Sequence, residues 1–252
     1  MGNAYEERLG TDRMLPLIFK MSLPAVAAQL VNLLYNIVDR IYIGHIPGIG
    51  TDALAGIGVT SAVIVLISSF SAIVGAGGSP LAAIALGRGN RERAGQILGN
   101  GFILLLIFTI LTSATTYLFM EPILLFTGAS ENTIGYATDY LSIYLLGTLF
   151  VELSVGLNTF INTQGRPTIA MYSVLIGAIL NIGLDPLFIF TFGMGVKGAA
   201  LATILSQACS AIWVISFLTS KKASLRLEYR YMKLHKGIIL SILALGVSPF
   251  IM

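Results

Sequence analysis

The chain has 252 residues, a net charge of +3 and a mean hydropathy of +0.86, with 56% hydrophobic and only 11% charged residues. A soluble domain carries about 25% charged residues, so this chain lacks the polar groups to coat a globule of its size. That excludes a soluble enzyme, a disordered chain and a nucleic-acid binder, and leaves an all-α, polytopic transmembrane helical bundle. The single cysteine, Cys209, cannot form an intrachain disulfide and reads as a small core residue. His45 and His235 lie far apart at segment ends, which argues against a structural metal site.

A bilayer span needs about 20 mostly apolar residues. The first span runs from Met14 to Gly44, and its polar lead (MGNAYEERLGTDR) and internal Asp39 set it apart from a cleavable signal peptide. The second lies in Ala53–Leu86, where Gly77-Gly78-Ser79-Pro80 predicts a bend. The third lies between Arg93 and Glu121, the fourth over 133–161, the fifth over 168–192 and the sixth between Lys197 and Lys221. A seventh opens near Gly237 and is still apolar at Met252.

If the spans alternate, thirteen of the fifteen basic residues fall on one side, which sets the orientation. They are Arg8, Arg13 and Lys20, then Arg88, Arg91 and Arg93, then Arg166, and finally Lys221, Lys222, Arg226, Arg230, Lys233 and Lys236. Only Lys197 lies in an opposite loop, and Arg40 is within a span. This predicts a multi-pass protein of the cytoplasmic membrane with its N-terminus inside. The basic 221–236 loop reads as a solvated segment in contact with anionic lipid. Gly95-Gln-Ile-Leu-Gly99 fits the small-residue pattern of close helix contact.

The opening of the seventh span echoes the first. A shift of about 225 residues places Pro249 on Pro24, Ile242 on Leu17 and Leu240 on Leu15. The expected organisation is therefore a six-helix lobe over residues 1–220, an inter-lobe loop over 221–236, and over 237–252 the start of a seventh helix whose own lobe is missing.

Carboxylates inside spans are costly, about 2.5–3.5 kcal/mol at the bilayer centre, so they face partners or a wet cavity. Here they are Asp39, Glu152 and Asp185, with Asp139 nearer a boundary. Alternation places Asp39, Asp185, Tyr140 and Thr203 at one depth, roughly 10 Å from the outer boundary. Asn181 and Asp185 share a helix face at i,i+4, and Asn36 precedes Asp39 by three residues, so a polar cluster is expected if these faces converge. Two alternatives stay open. Asp39 could pair with a snorkelling Arg40, although adjacent helix residues point about 100° apart; Asn181 and Asp185 could be interhelical hydrogen-bond glue. Pro186 removes a donor and frees the Ile182 carbonyl beside a carboxylate, which suits a cation. Glu152 has no partner at i±4. Phosphate-loop, HExxH and GxSxG patterns are absent, so neither an enzyme nor a cofactor is expected.

Leu34-Tyr-Asn-Ile-Val-Asp39-Arg-Ile-Tyr-Ile-Gly44 resembles the first-helix motif of the multidrug and toxic compound extrusion family. Gly177-Ala-Ile-Leu-Asn181-Ile-Gly-Leu-Asp185-Pro-Leu-Phe-Ile-Phe190 resembles its fifth-helix motif, Gly195-Val-Lys-Gly-Ala-Ala-Leu-Ala-Thr203 the start of its sixth, and Asn162-Thr-Gln-Gly165-Arg-Pro167 its fourth-to-fifth turn. The resemblance implies twelve helices in two lobes around a V-shaped cleft, with antiport of cationic or amphipathic compounds by alternating access. It implies that Asp39, Asn181, Asp185, Tyr140 and Thr203 form the ion- and proton-coupling network, with Na+ at Asp39, Asn181 and Asp185 as an alternative to H+. Asn158 matches a cavity residue, to which Asn36 is added as a candidate, and Pro24 matches a bending proline, with Pro186 as a second hinge. The expected partners are small-molecule substrates, membrane lipid and the missing C-terminal lobe. Two other readings are a flippase for a lipid-linked precursor and a half-protein that does not transport.

Overall fold

The computed structural model describes residues 14–251. Arg8 and Arg13 lie outside the described residues, as does the side chain of Pro249. Among the described residues, eight α-helices follow in chain order: α1 (Met14–Gly44), α2 (Gly50–Gly87), α3 (Arg91–Leu118), α4 (Met120–Phe126), α5 (Ile134–Thr163), α6 (Pro167–Pro186), α7 (Val196–Thr219) and α8 (Lys236–Ile251). A π-turn (Leu187–Thr191) follows α6, and a 3-10 turn (Tyr229–Tyr231) precedes α8. Six helices, α1–α3 and α5–α7, are long and apolar enough to cross a membrane. Leucines, isoleucines and phenylalanines such as Leu23, Leu66, Ile110 and Leu146 cover the outside of the bundle, as lipid requires.

The turns are cut by local chemistry. Gly89, at φ +72°, ends the α2–α3 turn, and Asn90 caps α3 by accepting from the Arg93 N–H at 2.9 Å. Pro167 opens α6, where its missing N–H costs nothing. α2 has 38 residues, or about 57 Å. It stays helical through Gly77–Pro80, where the glycines admit neighbours: Gly78 receives the Phe160 ring, and Gly77 lies against the backbone of α8 near Ile242 and Gly246.

Two packing zones divide the bundle by height. Near the basic turns, Ala85, Leu98, Phe160, Ile161, Leu218, Ile238 and Ile242 form a dry core. At the opposite end, Ile43, Ala53, Ile57, Tyr140, Tyr144, Ile189 and Ala199 form a smaller one. There Lys197 pairs with Asp139 at 3.3 Å. The short α4 docks Met120 and Leu124 beside Val63 and Leu141, an element absent from the sequence expectation.

Three expectations are corrected. The 221–236 segment is only partly solvated: Lys221, Lys222, Arg230, Lys233 and Lys236 are exposed, but one face is strapped to the bundle. Ala223, Leu225 and Leu227 are buried, the Leu225 N–H donates to Gln164 Oε1 at 3.0 Å, and Asn100 binds both the Lys233 carbonyl and the His235 N–H. Gly95 and Gly99 make close contact, but with Tyr231 of this segment rather than with a helix. Cys209 is exposed on the outer face of α7, where an apolar thiol meets lipid without penalty.

Candidate functional site

Asp185 is the last residue of α6 before Pro186. Because Pro186 supplies no N–H, the chain widens into the π-turn, and the Phe192 N–H closes it on the Leu187 carbonyl. Gly193 and Gly195, at φ +65° and +57°, reverse the chain. Gly198 then lets α7 start against the backbone of Phe188. Farther down, Gly177 meets the Ser210 hydroxyl, which donates to the Ser173 carbonyl at 2.8 Å. These small residues hold α6 and α7 together and bring Thr203 onto Asn181.

Asn181 Nδ2 donates to Asp185 Oδ1 at 3.3 Å and to Thr203 Oγ1 at 3.4 Å. Asp185 is 0% and Asn181 2% exposed. α1 carries Asp39 to the same place, where its carboxyl group faces that of Asp185. Tyr140 of α5 turns its hydroxyl toward Thr203. All five residues assigned to ion coupling therefore meet between α1, α5, α6 and α7. Asp39 Oδ1, Asp185 Oδ2 and Asn181 Oδ1 are buried and have no hydrogen-bond partner. Two facing carboxylates in an apolar setting repel unless a proton or a cation stands between them. Arg40 is exposed and offsets part of the Asp39 charge through space.

Below this cluster lies a cavity of about 270 Å³ between α1, α5, α6 and α7. Gln29, Asn32, Tyr35, Ser154, Asn158 and Gln207 supply its polar lining. Ser154 donates to Gln207 Oε1 at 2.8 Å, and Asn158 Nδ2 donates to Ser173 Oγ at 2.8 Å while its Oδ1 stays buried and unpartnered. Tyr35 also faces Gln207 and stands one helical turn before Asp39, so it joins the cavity to the carboxyl pair.

Asn36 departs from expectation. It is exposed, donates to the Asn32 carbonyl at 2.7 Å and stays out of the cavity. Three residues along a helix turn about 300°, and only the Asn32, Tyr35 and Asp39 edge of α1 meets the interior. Gln29, Asn32, Tyr35, Ser154 and Gln207 are polar lining residues that the sequence reading did not single out; on α1 the 29–32–35–39 spacing is the available signal. Pro24 lies within an unbroken α1, and Pro186 marks the start of the π-turn. Glu152 is 2% exposed and finds Ser68 and Ser71 of α2 across the helix interface.

Comparison with known proteins places this geometry. The multidrug export protein MepA of Staphylococcus haemolyticus is 28% identical over 231 residues, covering 92% of this chain and 51% of that protein. An FAD transporter of Shewanella oneidensis is 34% identical over 194 residues, covering 75% of this chain and 42% of that one. A crystal structure of a MATE protein in its bent conformation superposes with a TM-score of 0.84 at 28% identity, over 92% of this chain and 51% of that structure. The chain spans about half the length of the curated relatives it matches. The MatE family model matches residues 24–187, a stretch that holds the α1–α6 carboxyl pair and most of the cavity, and the chain belongs to the MatE family of multi-pass membrane proteins.

Proposed function

We propose that this chain is one lobe of a secondary active exporter that extrudes cationic or amphipathic compounds in exchange for H+ or Na+. The observation that carries the reading is the buried Asp39–Asp185 pair one turn above a polar cavity, joined to it by Tyr35. Deprotonated, the pair attracts a cation. Protonated or sodium-bound, it is neutral and lets the cation go. Ion and substrate then cannot hold the site together, which is what antiport requires. The cavity, at about 270 Å³, is smaller than the roughly 300–1,000 Å³ of drug-sized sites. A second lobe facing α1 and α2 would supply the rest of the cleft. The lining contains no cationic side chain, which favours cationic or neutral amphipathic cargo over phosphate-bearing cargo. The clustering of basic residues in the 87–95, 162–168 and 221–236 turns supports a cytoplasmic location for those turns and for the N-terminus.

The test is ion-driven efflux of a cationic dye from everted vesicles carrying the whole protein. Asp39→Asn and Asp185→Asn are each expected to abolish the coupled component while leaving the protein in the membrane. Unchanged coupling in both variants refutes the reading.

A further inference from the structure

We propose that the cleft between α2, α3 and α8, at the basic end of the lobe, binds an anionic phospholipid, with its phosphate between Arg88 and Arg93 and an acyl chain along Leu81 and Ile84. The proposal stands on the membrane-spanning fold and asks nothing of the exporter reading. The cleft has a volume of about 190 Å³. Arg88 follows the last turn of α2, and Arg93 lies in the first turn of α3. Arg91, between them in sequence, goes to the other side of the turn, where it lines a recess with Gly95 and Tyr231. Two arginines of one turn are thus committed to one cleft. Each has an isoleucine one helical turn deeper, Ile84 below Arg88 and Ile97 below Arg93. Leu81 lies a further turn down α2, and the buried Ile238 closes the floor from α8. From Arg88 to Leu81 is about 10 Å along the helix. Charge at the rim with hydrocarbon one turn beneath it is the profile of a phospholipid at the membrane boundary.

The two arginines call for an anion from outside the chain. Both are exposed, and among the described residues neither side chain has an ion pair or a hydrogen bond. Glu92 is the acid of this turn, and it too is exposed. Arg88 gains from the C-terminal end of α2, but Arg93 stands at the N-terminal end of α3, where the helix dipole repels a cation. A guanidinium presents a fork of N–H donors that matches two oxygens of one phosphate. Inorganic phosphate would satisfy the rim and leave Ile84, which is 52% exposed, uncovered. A zwitterionic lipid would cover Ile84 but bring a cation of its own to the rim. A lipid of net negative charge meets both requirements, because its phosphate and its chain are joined at the spacing of rim and floor.

The test uses the whole protein in an uncharged detergent, with phosphatidylglycerol and phosphatidylcholine as probes and native mass spectrometry counting the retained lipid. Phosphatidylglycerol should be preferred by at least about ten-fold. Arg88→Gln and Arg93→Gln should each weaken its binding about five-fold, and the double variant about twenty-five-fold, as expected for one basic residue each at an anionic leaflet. Ile84→Asn should weaken it about three-fold, because only an acyl chain meets that position. Lys221→Gln and Lys222→Gln, basic residues outside the cleft, should stay within about two-fold. Equal retention of the two lipids overturns the proposal, as does unchanged phosphatidylglycerol binding in the double arginine variant. Equal losses in the lysine variants overturn it too, since they reduce the effect to unspecific charge attraction. Inorganic phosphate is the last arm. If it displaces phosphatidylglycerol at equal concentration, or if Ile84→Asn binds as the wild type does, the cleft is an anion site and the lipid proposal falls. Should a glutamine variant fail to fold, Ile84→Asn and the wild-type lipid preference decide.

Discussion

α5 and α1 stand at opposite extremes of this bundle. Of α5's apolar window 67% is buried within the protein, while none of α1's is. α5 is the central post, packed by α2, α3, α6 and α7. α1 lies on the outside, with Leu23, Leu30, Leu33 and Leu34 exposed, and touches mainly α6. Yet each carries part of the carboxyl cluster. Tyr140, Asn181, Thr203 and Asp185 sit on the inner helices, and Asp39 arrives on a peripheral helix seated mainly against α6. The site therefore depends on one peripheral contact, between α1 and α6, as much as on the core.

Several substitutions would break or sharpen this contrast. The largest effect should come from lengthening each acid by one methylene. Asp185→Glu overpacks a fully buried position, where 1–3 kcal/mol is typical, and should reduce ion-driven dye efflux more than about ten-fold. Asp39→Glu can be absorbed by a small shift of α1 and should stay within about three-fold. Equal losses would mean that α1 is held as firmly as α6. Next, Gly147→Leu drives a side chain into Ile204 at the α5–α7 contact and should cost about 1–3 kcal/mol, read as a lower Tm in detergent. Leu33→Ala on the exposed face of α1 should cost less than about 0.5 kcal/mol in the same assay. Gln164→Ala leaves the buried Leu225 N–H unpaired, at about 1–3 kcal/mol, and should expose the 221–236 segment to protease before the helices are cut. Lys197→Gln should also have a small effect. Its ion pair with Asp139 is about half exposed, so stability should change by no more than about 1 kcal/mol, and less at high salt.

Much of this was legible in the residues because lipid leaves few options. Apolar runs bounded by charge must be helices, and their alternation fixes relative depth. That is why Asp39, Asp185, Tyr140 and Thr203 could be placed at one level before their side chains were seen to meet. Direction around a helix was harder. Asn36 and Tyr35 both precede Asp39 at helical spacing, and only the contact with α6 decides that Tyr35 faces inward. The partners of Glu152 could not be read at all, since Ser68 and Ser71 lie some eighty residues away on another helix. In the 221–236 segment, charge masks the pattern that packs one face. Ala223, Leu225 and Leu227 alternate with Ser224, Arg226 and Glu228, the period of an extended chain with one face buried.

That strapped segment has a mechanical consequence. Asn100 grips the chain at Lys233 and His235, immediately before α8 starts. α8 therefore leaves the bundle from a clamped root rather than from a slack tether. Its crossing with α2, where Gly246 rests on the Ile73 carbonyl, lies ten residues, about 15 Å, from Lys236 along one uninterrupted rod. α8 is thus fixed at two separated points, so its direction is set by the lobe it leaves.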